Sequence, residues 1–148
     1  MIMKKILLTL VAIFSVGVFS AMADNDKVIN KSQLPAPAQQ FINEHFAGVE
    51  ITYAKEEWDF LKHSYEVRFA NGAKIEFNSK GVWDDVECRF GEVPAAIIPQ
   101  TIKEYIDKNY PGIKVIYIEK DRNDYELKLS NRLELKFDSD FNLYDIDD

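Results

Sequence analysis

Cysteine and histidine are scarce in this chain, which limits the chemistry it can perform. Cys88 is the single cysteine among 148 residues, so an intramolecular disulfide is impossible. Spacings that mark common catalytic or nucleotide sites, such as G-x-S-x-G, H-E-x-x-H, C-x-x-C and the P-loop, do not occur. Cys88 with His45 or His63 would supply only the residue types of a thiol enzyme, without an orienting third group. We therefore expect no enzyme activity, no catalytic residues, no cofactor and no metal ligands.

Basic residues are also few relative to acidic ones. The chain has 18 Lys and Arg residues against 25 Asp and Glu residues, and its net charge is −7. Without residues 1–23, which contain Lys4 and Lys5, the net charge becomes −9. Such a surface repels phosphate backbones, so we expect no nucleic-acid partner. A hydrophobic fraction of 47% and an aromatic fraction of 13% indicate a folded domain rather than a disordered chain.

The N-terminus has the three parts of a secretory signal peptide. A basic start precedes an apolar run from Ile6 to Phe19, and the A-x-A pattern that ends at Ala23 predicts cleavage after that residue. The alternative is an uncleaved membrane anchor, but the run is shorter than the roughly 20 residues that cross a bilayer. We predict an exported protein, periplasmic or secreted and without a stable membrane anchor. Its signal peptide is predicted at 1–23 and a flexible polar leader at 24–33.

From residue 34 onward the chain repeats itself. Leu34-Pro35 and the helical pattern after it match Ile98-Pro99 and its helical pattern at an offset of 64 residues. Tyr65-Glu66-Val67 matches Tyr125-Glu126-Leu127 at an offset of 60, so the first copy contains four extra residues. We interpret this region, 34–148, as one domain built of two repeats. The predicted boundaries are 34–88 for the first repeat, 89–97 for the linker and 98–148 for the second repeat.

Each repeat predicts one helix followed by four strands. The helical segments place apolar residues at i, i+3, i+4 and i+7, whereas the later segments alternate apolar and charged residues with period two. One charged face per strand is typical of an antiparallel sheet covered on one side. We therefore predict an α+β fold, in which the two units join into one large antiparallel sheet with both helices on one face. A two-residue Asn71-Gly72 turn would place Phe69 opposite Lys74, so we predict a three-residue loop with Gly72 left-handed.

The order of these motifs resembles the PepSY-like family. The motifs are a Leu-Pro start, an amphipathic helix that ends at Gly, Tyr65-Glu66-Val67, Asn71-Gly72, Ile75-Glu76-Phe77 and Gly81-Val82-Trp83. The resemblance covers 34–148, although Phe141-Asn142-Leu143 replaces the last motif in the second copy. It implies a small exported bacterial domain with a fold similar to beta-lactamase inhibitory protein and without established catalytic residues. In that inhibitor the open sheet face grips an enzyme, and the resemblance implies such a use as an expectation here.

Aromatic residues outside the core pattern are the strongest candidates for partner binding. Trp58 and Phe60 lie in or beside the four extra residues of the first repeat, and Trp83 lies on its last strand. Large aromatic side chains bury much area with few rotatable bonds, which makes them common interface hot spots. The alternatives are that Trp83 packs in the core and that the charged face is merely solvated. The predicted partner-binding residues are Trp58, Phe60, Glu66, Arg68, Lys74, Glu76 and Trp83.

Two functional hypotheses follow from these features. The first is a non-enzymatic module that binds another protein or peptide of the cell envelope through the open sheet face, as an enzyme inhibitor does. The second is a small-ligand or calcium-responsive envelope sensor. Asp138 to Asn142 matches the opening of a calcium loop, but the glycine and the last glutamate of such a loop are missing, so a turn is predicted there. The acidic residues available to the sensor are Asp140, Asp145, Asp147 and Asp148.

The remaining reactive side chains have structural explanations. His45 lies at the edge of the apolar face of the first helix and is matched by Asn109, so we expect a structural role. His63 is predicted on a solvated hairpin tip. Cys88 is predicted to be a buried small apolar residue at a strand end, and the alternative is a free thiol that pairs with another chain.

Overall fold

The computed structural model describes residues 26–148, and the predicted signal peptide at 1–23 lies outside the described residues. Nine strands and two α-helices follow one another in this region. The strands are β1 Asp26–Ile29, β2 Ile51–Asp59, β3 Lys62–Phe69, β4 Lys74–Asn78, β5 Trp83–Glu87, β6 Val115–Asp121, β7 Asp124–Leu129, β8 Glu134–Phe137 and β9 Leu143–Asp147. The helices are α1 Ala36–His45 and α2 Gln100–Asn109, and short 3-10 helices lie at Lys31–Gln33 and Ala95–Ile97.

All nine strands form one open antiparallel sheet, in which each strand pairs with the next along the chain. α1 lies in the connection from β1 to β2, and α2 lies in the connection from β5 to β6. Apolar side chains from both helices and from one side of the sheet form a single core. Both helices therefore cover the same side, and the predicted α+β fold is confirmed. The opposite side, which no helix of the described residues covers, is called the open face below.

Packing against the sheet stabilises both helices. Ala38 and Ile42 of α1 are buried, as are Ile102 and Ile106 of α2. In each helix these residues are four positions apart, which places them on one face. A helix of ten residues is marginal in water by itself, so contact with the sheet is what keeps these segments folded.

The turn between β3 and β4 has the predicted length. The Phe69 amide donates a hydrogen bond to the carbonyl of Ala73 over 2.9 Å, which leaves residues 70–72 as a three-residue loop. Gly72 has a φ of +86°, in the left-handed region that favours glycine. Phe69 and Ile75 are both buried, so the alternation of apolar residues continues through the turn. The prediction made from the alternation is therefore confirmed.

Bulges interrupt the sheet at corresponding places in its two halves. The strand register shifts at Thr52 on β2 and at Ile116 on β6, 64 residues later. It shifts again at Asp84 on β5 and at Tyr144 on β9, 60 residues later. Each bulge adds one residue to one strand and so reverses the alternation of sides beyond it. These positions agree with the offsets of the sequence match, while the duplication itself stays an interpretation.

The N-terminal segment corrects one prediction. A flexible leader was expected at 24–33, and this is wrong for the described part, because Asp26–Ile29 forms the edge strand β1. Ile29 is buried opposite Ala54 of β2, and the Nζ atom of Lys55 lies 3.1 Å from Asp26 Oδ2. The segment looks like a leader in the sequence because an edge strand buries little, and only its last residue is buried.

The four extra residues of the first repeat lengthen the hairpin formed by β2 and β3. Glu57 pairs with Ser64, as Asp121 pairs with Asp124 in the second half. Beyond that pair β2 and β3 continue for two further residue pairs, whereas the chain between β6 and β7 turns at once. The longer hairpin ends at Phe60-Leu61, which we call the hairpin tip.

Candidate functional site

Carboxylates form a row across the open face of the sheet. The strand register places Glu66 of β3 beside Glu76 of β4, and Glu76 beside Asp85 of β5. It then places Asp85 beside Glu119 of β6, and Glu119 beside Glu126 of β7. We call these five residues the acidic row. Neighbouring strands lie about 4.7–4.9 Å apart, so like charges directly opposite each other are unfavourable.

Polar and cationic groups of the first half neutralise one end of the acidic row. Arg68 Nε lies 2.8 Å from Glu66 Oε1, and the Tyr53 hydroxyl donates a hydrogen bond to the same oxygen over 3.0 Å. Lys74 Nζ lies 3.5 Å from Glu76 Oε1. Burial lowers the pKa of Lys74, but the surrounding carboxylates, led by Glu76, raise it overall. The predicted charged residues of this half thus lie together on the open face as a set of ion pairs.

Asp85 lies at the centre of the acidic row, and one of its carboxylate oxygens has no hydrogen-bond partner within residues 26–148. Only 8% of its surface is exposed, and its Oδ1 atom is buried with no hydrogen-bond partner among the described residues. Burial is the main cause that raises the pKa of Asp85 to about 7, and the adjacent Glu76 carboxylate raises it further. A buried charge without compensation destabilises the folded state, so the ionised carboxylate of Asp85 lowers the stability of the fold.

Glu119 beside Asp85 and Glu126 beside Glu119 also form no ion pair among the described residues, although Lys136 of β8 faces Glu126 across the sheet. Within the described part of the chain, no nitrogen of Lys, Arg or His lies within 4.0 Å of a carboxylate oxygen of Asp85, Glu119 or Glu126. The Tyr117 hydroxyl donates a hydrogen bond to Glu119 over 2.9 Å, and burial together with this carboxylate raises the pKa of Tyr117. Three successive strands therefore carry carboxylates without ion pairs where the two halves of the sheet meet.

A polar depression adjoins this part of the acidic row. Its volume is about 630 Å³, and Glu119 and Glu126 line it together with residues of the β6–β7 hairpin and Tyr144 of β9. The carboxylates that line it are Glu119, Asp121, Asp124 and Glu126, and the cations are Arg122 and Lys136. The excess of carboxylates favours a positively charged ligand over a negative one.

The hairpin tip exposes two large apolar side chains. Phe60 is 98% exposed and Leu61 is 93% exposed. Phe60 also has a φ of +45°, in the left-handed region that a phenylalanine rarely adopts. Arg122 has a φ of +56° at the equivalent turn between β6 and β7, so this conformation belongs to the turn, and the exposed side chains make the tip a candidate contact element.

Aromatic rings support the base of the hairpin tip. Trp58, which is 56% exposed, stacks on the ring of His63 with 3.9 Å between ring centroids. The His63 ring is also 4.8 Å from that of Tyr65, and its Nε2 atom lies 2.7 Å from Glu56 Oε1. His63 is half-buried, so the prediction of a solvated tip position is wrong. The tip lies at Phe60-Leu61 because the strands extend two pairs further than expected.

Two of the predicted aromatic residues lie on the helix-facing side rather than on the open face. Trp83 packs against the core and stacks on Phe41 of α1 with 6.2 Å between ring centroids. The bulge at Asp84 reverses the alternation, which is why Trp83 and Asp85 point to opposite sides. Trp83 is therefore removed from the predicted partner-binding residues as a correction. Trp58 shares the side of buried Ala54, but it remains accessible beside the hairpin tip.

Sequence reasoning missed Asp85, Glu119 and Leu61. Asp84-Asp85 offered a signal, because two adjacent acids within a strand of period two indicate either a bulge or one buried carboxylate. Leu61 was missed because the length of the hairpin was unknown, and alternation does not extend into a tip. Nothing in the sequence around Glu119 indicated that it belongs to a site, because the pairing of β5 with β6 decides that it lies beside Asp85.

Cys88 and His45 occupy the expected structural positions. Cys88 is buried, and its burial raises the pKa of the thiol to about 11, so the reactive thiolate is rare at neutral pH. The predicted burial is confirmed. His45 is half-buried at the end of α1, and its ring centroid lies 4.7 Å from that of Phe41.

The acidic C-terminus forms a turn and ion pairs. Asp138 Oδ1 accepts hydrogen bonds from the backbone amides of Asp140 and Asn142, each over 2.9 Å, which confirms the predicted turn. The Nζ atom of Lys136 lies 3.5 Å from Asp145 Oδ2 and 3.6 Å from an oxygen of Asp147. In the region that the structure describes, no group of three His, Cys, Asp or Glu side chains is arranged to hold a metal ion.

Comparison with known families agrees with this architecture. The family model described as "Putative beta-lactamase-inhibitor-like, PepSY-like" matches residues 63–145, more than half of the chain. This chain belongs to the PepSY-like family. No curated protein matches the sequence.

Solved structures similar to this PepSY-like chain come from Bacteroides. A "putative calcium-regulated periplasmic protein" of Bacteroides thetaiotaomicron is 56% identical, with a TM-score of 0.83 over 85% of this chain and 99% of that chain. A "putative periplasmic protein" of Bacteroides vulgatus ATCC 8482 is 49% identical, with a TM-score of 0.81 and the same two coverages. A second protein of Bacteroides vulgatus ATCC 8482, of unknown function, is 39% identical, with a TM-score of 0.78 over 83% of this chain and 99% of that chain.

The three similar structures are all described as periplasmic, which confirms the expected exported location of this PepSY-like protein. Neither helix of residues 26–148 combines the length and the apolar character that crossing a bilayer requires.

Proposed function

We propose that this PepSY-like protein is a non-enzymatic binding module of the periplasm that docks a protein or peptide partner, in the manner of an enzyme inhibitor. The observation that carries the proposal is the hairpin tip, where Phe60 and Leu61 are almost fully exposed side by side. The family description, beta-lactamase-inhibitor-like, supports the same function. The sequence contains none of the catalytic spacings named above, so nothing in it favours an enzyme activity instead.

The hairpin tip has the properties of an interface anchor. Burying a phenylalanine or a leucine side chain stabilises a complex by about 1.5–3 kcal/mol relative to leaving it in water. The stacked rings of Trp58 and His63 extend the apolar surface behind the tip. A rigid apolar anchor loses little entropy when it enters a partner pocket, which is the behaviour of interface hot spots.

The open face beside the hairpin supplies charged contacts around this anchor. Lys55 on β2 lies 2.7 Å from Glu57 Oε1, and Arg68 on β3 is half-exposed beside Glu66. Val28 of the edge strand β1 is also exposed on this face. Charges at the rim of an interface mainly set selectivity and association rate, so we assign that role to the predicted residues Glu66, Arg68, Lys74 and Glu76.

Removing the hairpin tip is expected to abolish partner capture without unfolding the protein. A Phe60→Ser/Leu61→Ser double variant loses the apolar anchor, so capture of the specific partner should fall at least about tenfold. The measurement is quantitative mass spectrometry of proteins crosslinked to the exported protein in intact cells. A captured enzyme would then be assayed with and without added protein to test inhibition.

Phe90→Ser is the matched control for the tip variant, because Phe90 is also exposed but lies in the linker between the halves. It should capture the same partners as the natural protein. Both variants should keep the unfolding temperature of the natural protein, since Phe60, Leu61 and Phe90 are all exposed. Equal capture by the tip variant would refute the proposed docking element.

The second candidate function is a calcium-responsive envelope sensor. Its support is the name of the 56% identical protein of Bacteroides thetaiotaomicron. Against it, Asp145 and Asp147 already pair with Lys136, and the described residues hold no metal-binding group of three. A rise in unfolding temperature with calcium chloride that a chelator reverses would favour the sensor over the binding module.

A further inference from the structure

The three carboxylates without ion pairs at the junction of the two halves form a distinct site on the open face. Asp85 of β5, Glu119 of β6 and Glu126 of β7 lie on successive strands in direct register. We propose that this site binds a cationic side chain, arginine or lysine, that the partner presents to the open face. The proposal rests on the proposed function and names the chemistry of the partner at this position.

The strongest observation is the buried and unpartnered oxygen of Asp85. The residue is 8% exposed, and its Oδ1 atom has no hydrogen-bond partner among the described residues. Buried polar atoms without partners are rare in folded proteins and call for an explanation, such as a ligand bound at the site. Asp85 faces Glu76 and Glu119 across the sheet, so the missing partner is a cation or donor.

The lysines nearest the site contact other groups. Lys74 pairs with Glu76, and Lys136 pairs with Asp145 and lies near Asp147. Lys128 lies 3.4 Å from Glu134 Oε1 and above the ring of Tyr117. Arg122 lines the polar depression but lies within 4.0 Å of no carboxylate oxygen, so the described residues place no cation at the centre of the acidic row.

The spacing of the carboxylates fits a side chain better than a metal ion. Calcium takes six to eight oxygens at about 2.3–2.6 Å from one point, which requires the ligands to converge. Carboxylates on adjacent strands begin about 4.7–4.9 Å apart, and no metal-binding group of three occurs in the described residues. A guanidinium group, with five donors in a planar fork, bridges carboxylates at such distances by hydrogen bonds of about 2.8 Å.

The polar depression provides room for such a side chain. It has a volume of about 630 Å³ and is lined by Glu119 and Glu126, the two members of the site that follow Asp85. Asp121 and Asp124 add two further carboxylates to its wall. A lysine or arginine that enters the depression therefore meets four carboxylates against two cations, Arg122 and Lys136, and lies beside Glu119, which neighbours Asp85 across the sheet.

A peptide titration tests the proposal without the natural partner. The probes are a short arginine-containing peptide with blocked termini and the same peptide with citrulline, the neutral isostere of arginine. With the arginine peptide, NMR of the exported protein should show amide shifts concentrated on β5, β6 and β7, and the citrulline peptide should show none. In an Asp85→Asn/Glu119→Gln double variant the affinity should fall by about fivefold or more, because charge-assisted hydrogen bonds are lost.

The matched control is Glu104→Gln/Asp107→Asn, which removes the same charge from α2 on the opposite side of the sheet. Its affinity should stay within about twofold of the natural protein, because exposed charges beyond a Debye length of about 8–10 Å are screened. Equal binding of the citrulline peptide, or shifts centred on another surface, would overturn the proposal. If calcium chloride shifted the same amides and bound with higher affinity than the arginine peptide, the proposal would also be overturned, in favour of a metal site.

These outcomes separate this inference from the proposed function. The titration uses no natural partner, so its failure would leave docking by the hairpin tip intact. If the tip variant crosslinked to the same partners as the natural protein, in contrast, the hairpin tip would be refuted as the docking element. The proposed cation site on the acidic row would not be affected by that result.

Discussion

A Phe77→Ala variant is expected to lose about 3–5 kcal/mol of the free energy of unfolding, the cost of removing a large aromatic side chain from a packed core. Phe77 of β4 is fully buried, and its ring meets that of Phe41 of α1 edge to face with 5.8 Å between centroids. It is among the largest fully buried side chains of the protein, so the loss creates a cavity between α1 and the sheet. Urea denaturation followed by circular dichroism measures the effect.

The control for Phe77→Ala is Phe60→Ala, the same substitution at the exposed hairpin tip. Phe60 buries almost nothing, so its replacement should change the free energy of unfolding by at most about 0.5 kcal/mol. Similar losses in both variants would mean that the tip packs against the fold and is not free for a partner. A small loss in Phe77→Ala would contradict the assignment of that residue to the core.

An Asp85→Asn variant is expected to be more stable than the natural protein at pH 8.5, by about 1–3 kcal/mol, the usual cost of an uncompensated buried polar group. The substitution keeps the shape of the side chain and removes the negative charge. The new amide can also donate a hydrogen bond to the carboxylate of Glu76 beside it. Because the shape of the side chain is kept, a gain in stability would show that the negative charge of Asp85 destabilises the folded protein.

The pH dependence of this effect follows from the pKa of Asp85. Its ordinary value is 3.8 and the folded protein raises it to about 7, first through burial and then through Glu76. Between these values the folded state binds more protons than the unfolded state, so Asp85 lowers stability progressively as pH rises from about 4 to 7. The groups that face it are Lys74 and Glu76 of β4, and Tyr117 and Glu119 of β6.

The measurement is urea denaturation at pH 4.5 and at pH 8.5. The natural protein and Asp85→Asn should have similar stabilities at pH 4.5, because Asp85 is largely protonated in the folded state there. They should diverge at pH 8.5 in favour of the variant. A variant that is less stable than the natural protein at pH 8.5 would show that the carboxylate is compensated within the fold.

Local patterns in the sequence were enough to predict the layers of the fold. The alternation of apolar residues through Phe69 and Ile75 predicted which side of the sheet is covered and the length of the turn between them. The spacing of Ile102 and Ile106 predicted the buried face of α2. These predictions succeeded because each depends on residues that are close in the chain and on a fixed backbone period.

The candidate site could be predicted only in part. Glu66 and Arg68 were expected on the open face and lie there, since no bulge separates them from the buried residues of β3. Trp83 was predicted to bind a partner, with packing in the core as the alternative, and it packs on the helix-facing side because the bulge at Asp84 reverses the alternation on β5. A bulge is one extra residue relative to a partner strand, so it becomes visible only when that partner is known.

The sequence by itself determined that this chain is exported, that its core comprises two helices on one side of an antiparallel sheet, and that acidic residues dominate its surface. Only the tertiary structure decided that β5 pairs with β6, which joins the halves and brings Asp85 beside Glu119. The physical reason is that strand pairing is made by backbone hydrogen bonds between distant segments, which leave no local pattern in either strand. Burial and Glu76 of β4 raise the pKa of Asp85, and the pairing with β6 adds Glu119 beside it, which completes the site that we propose for a cation.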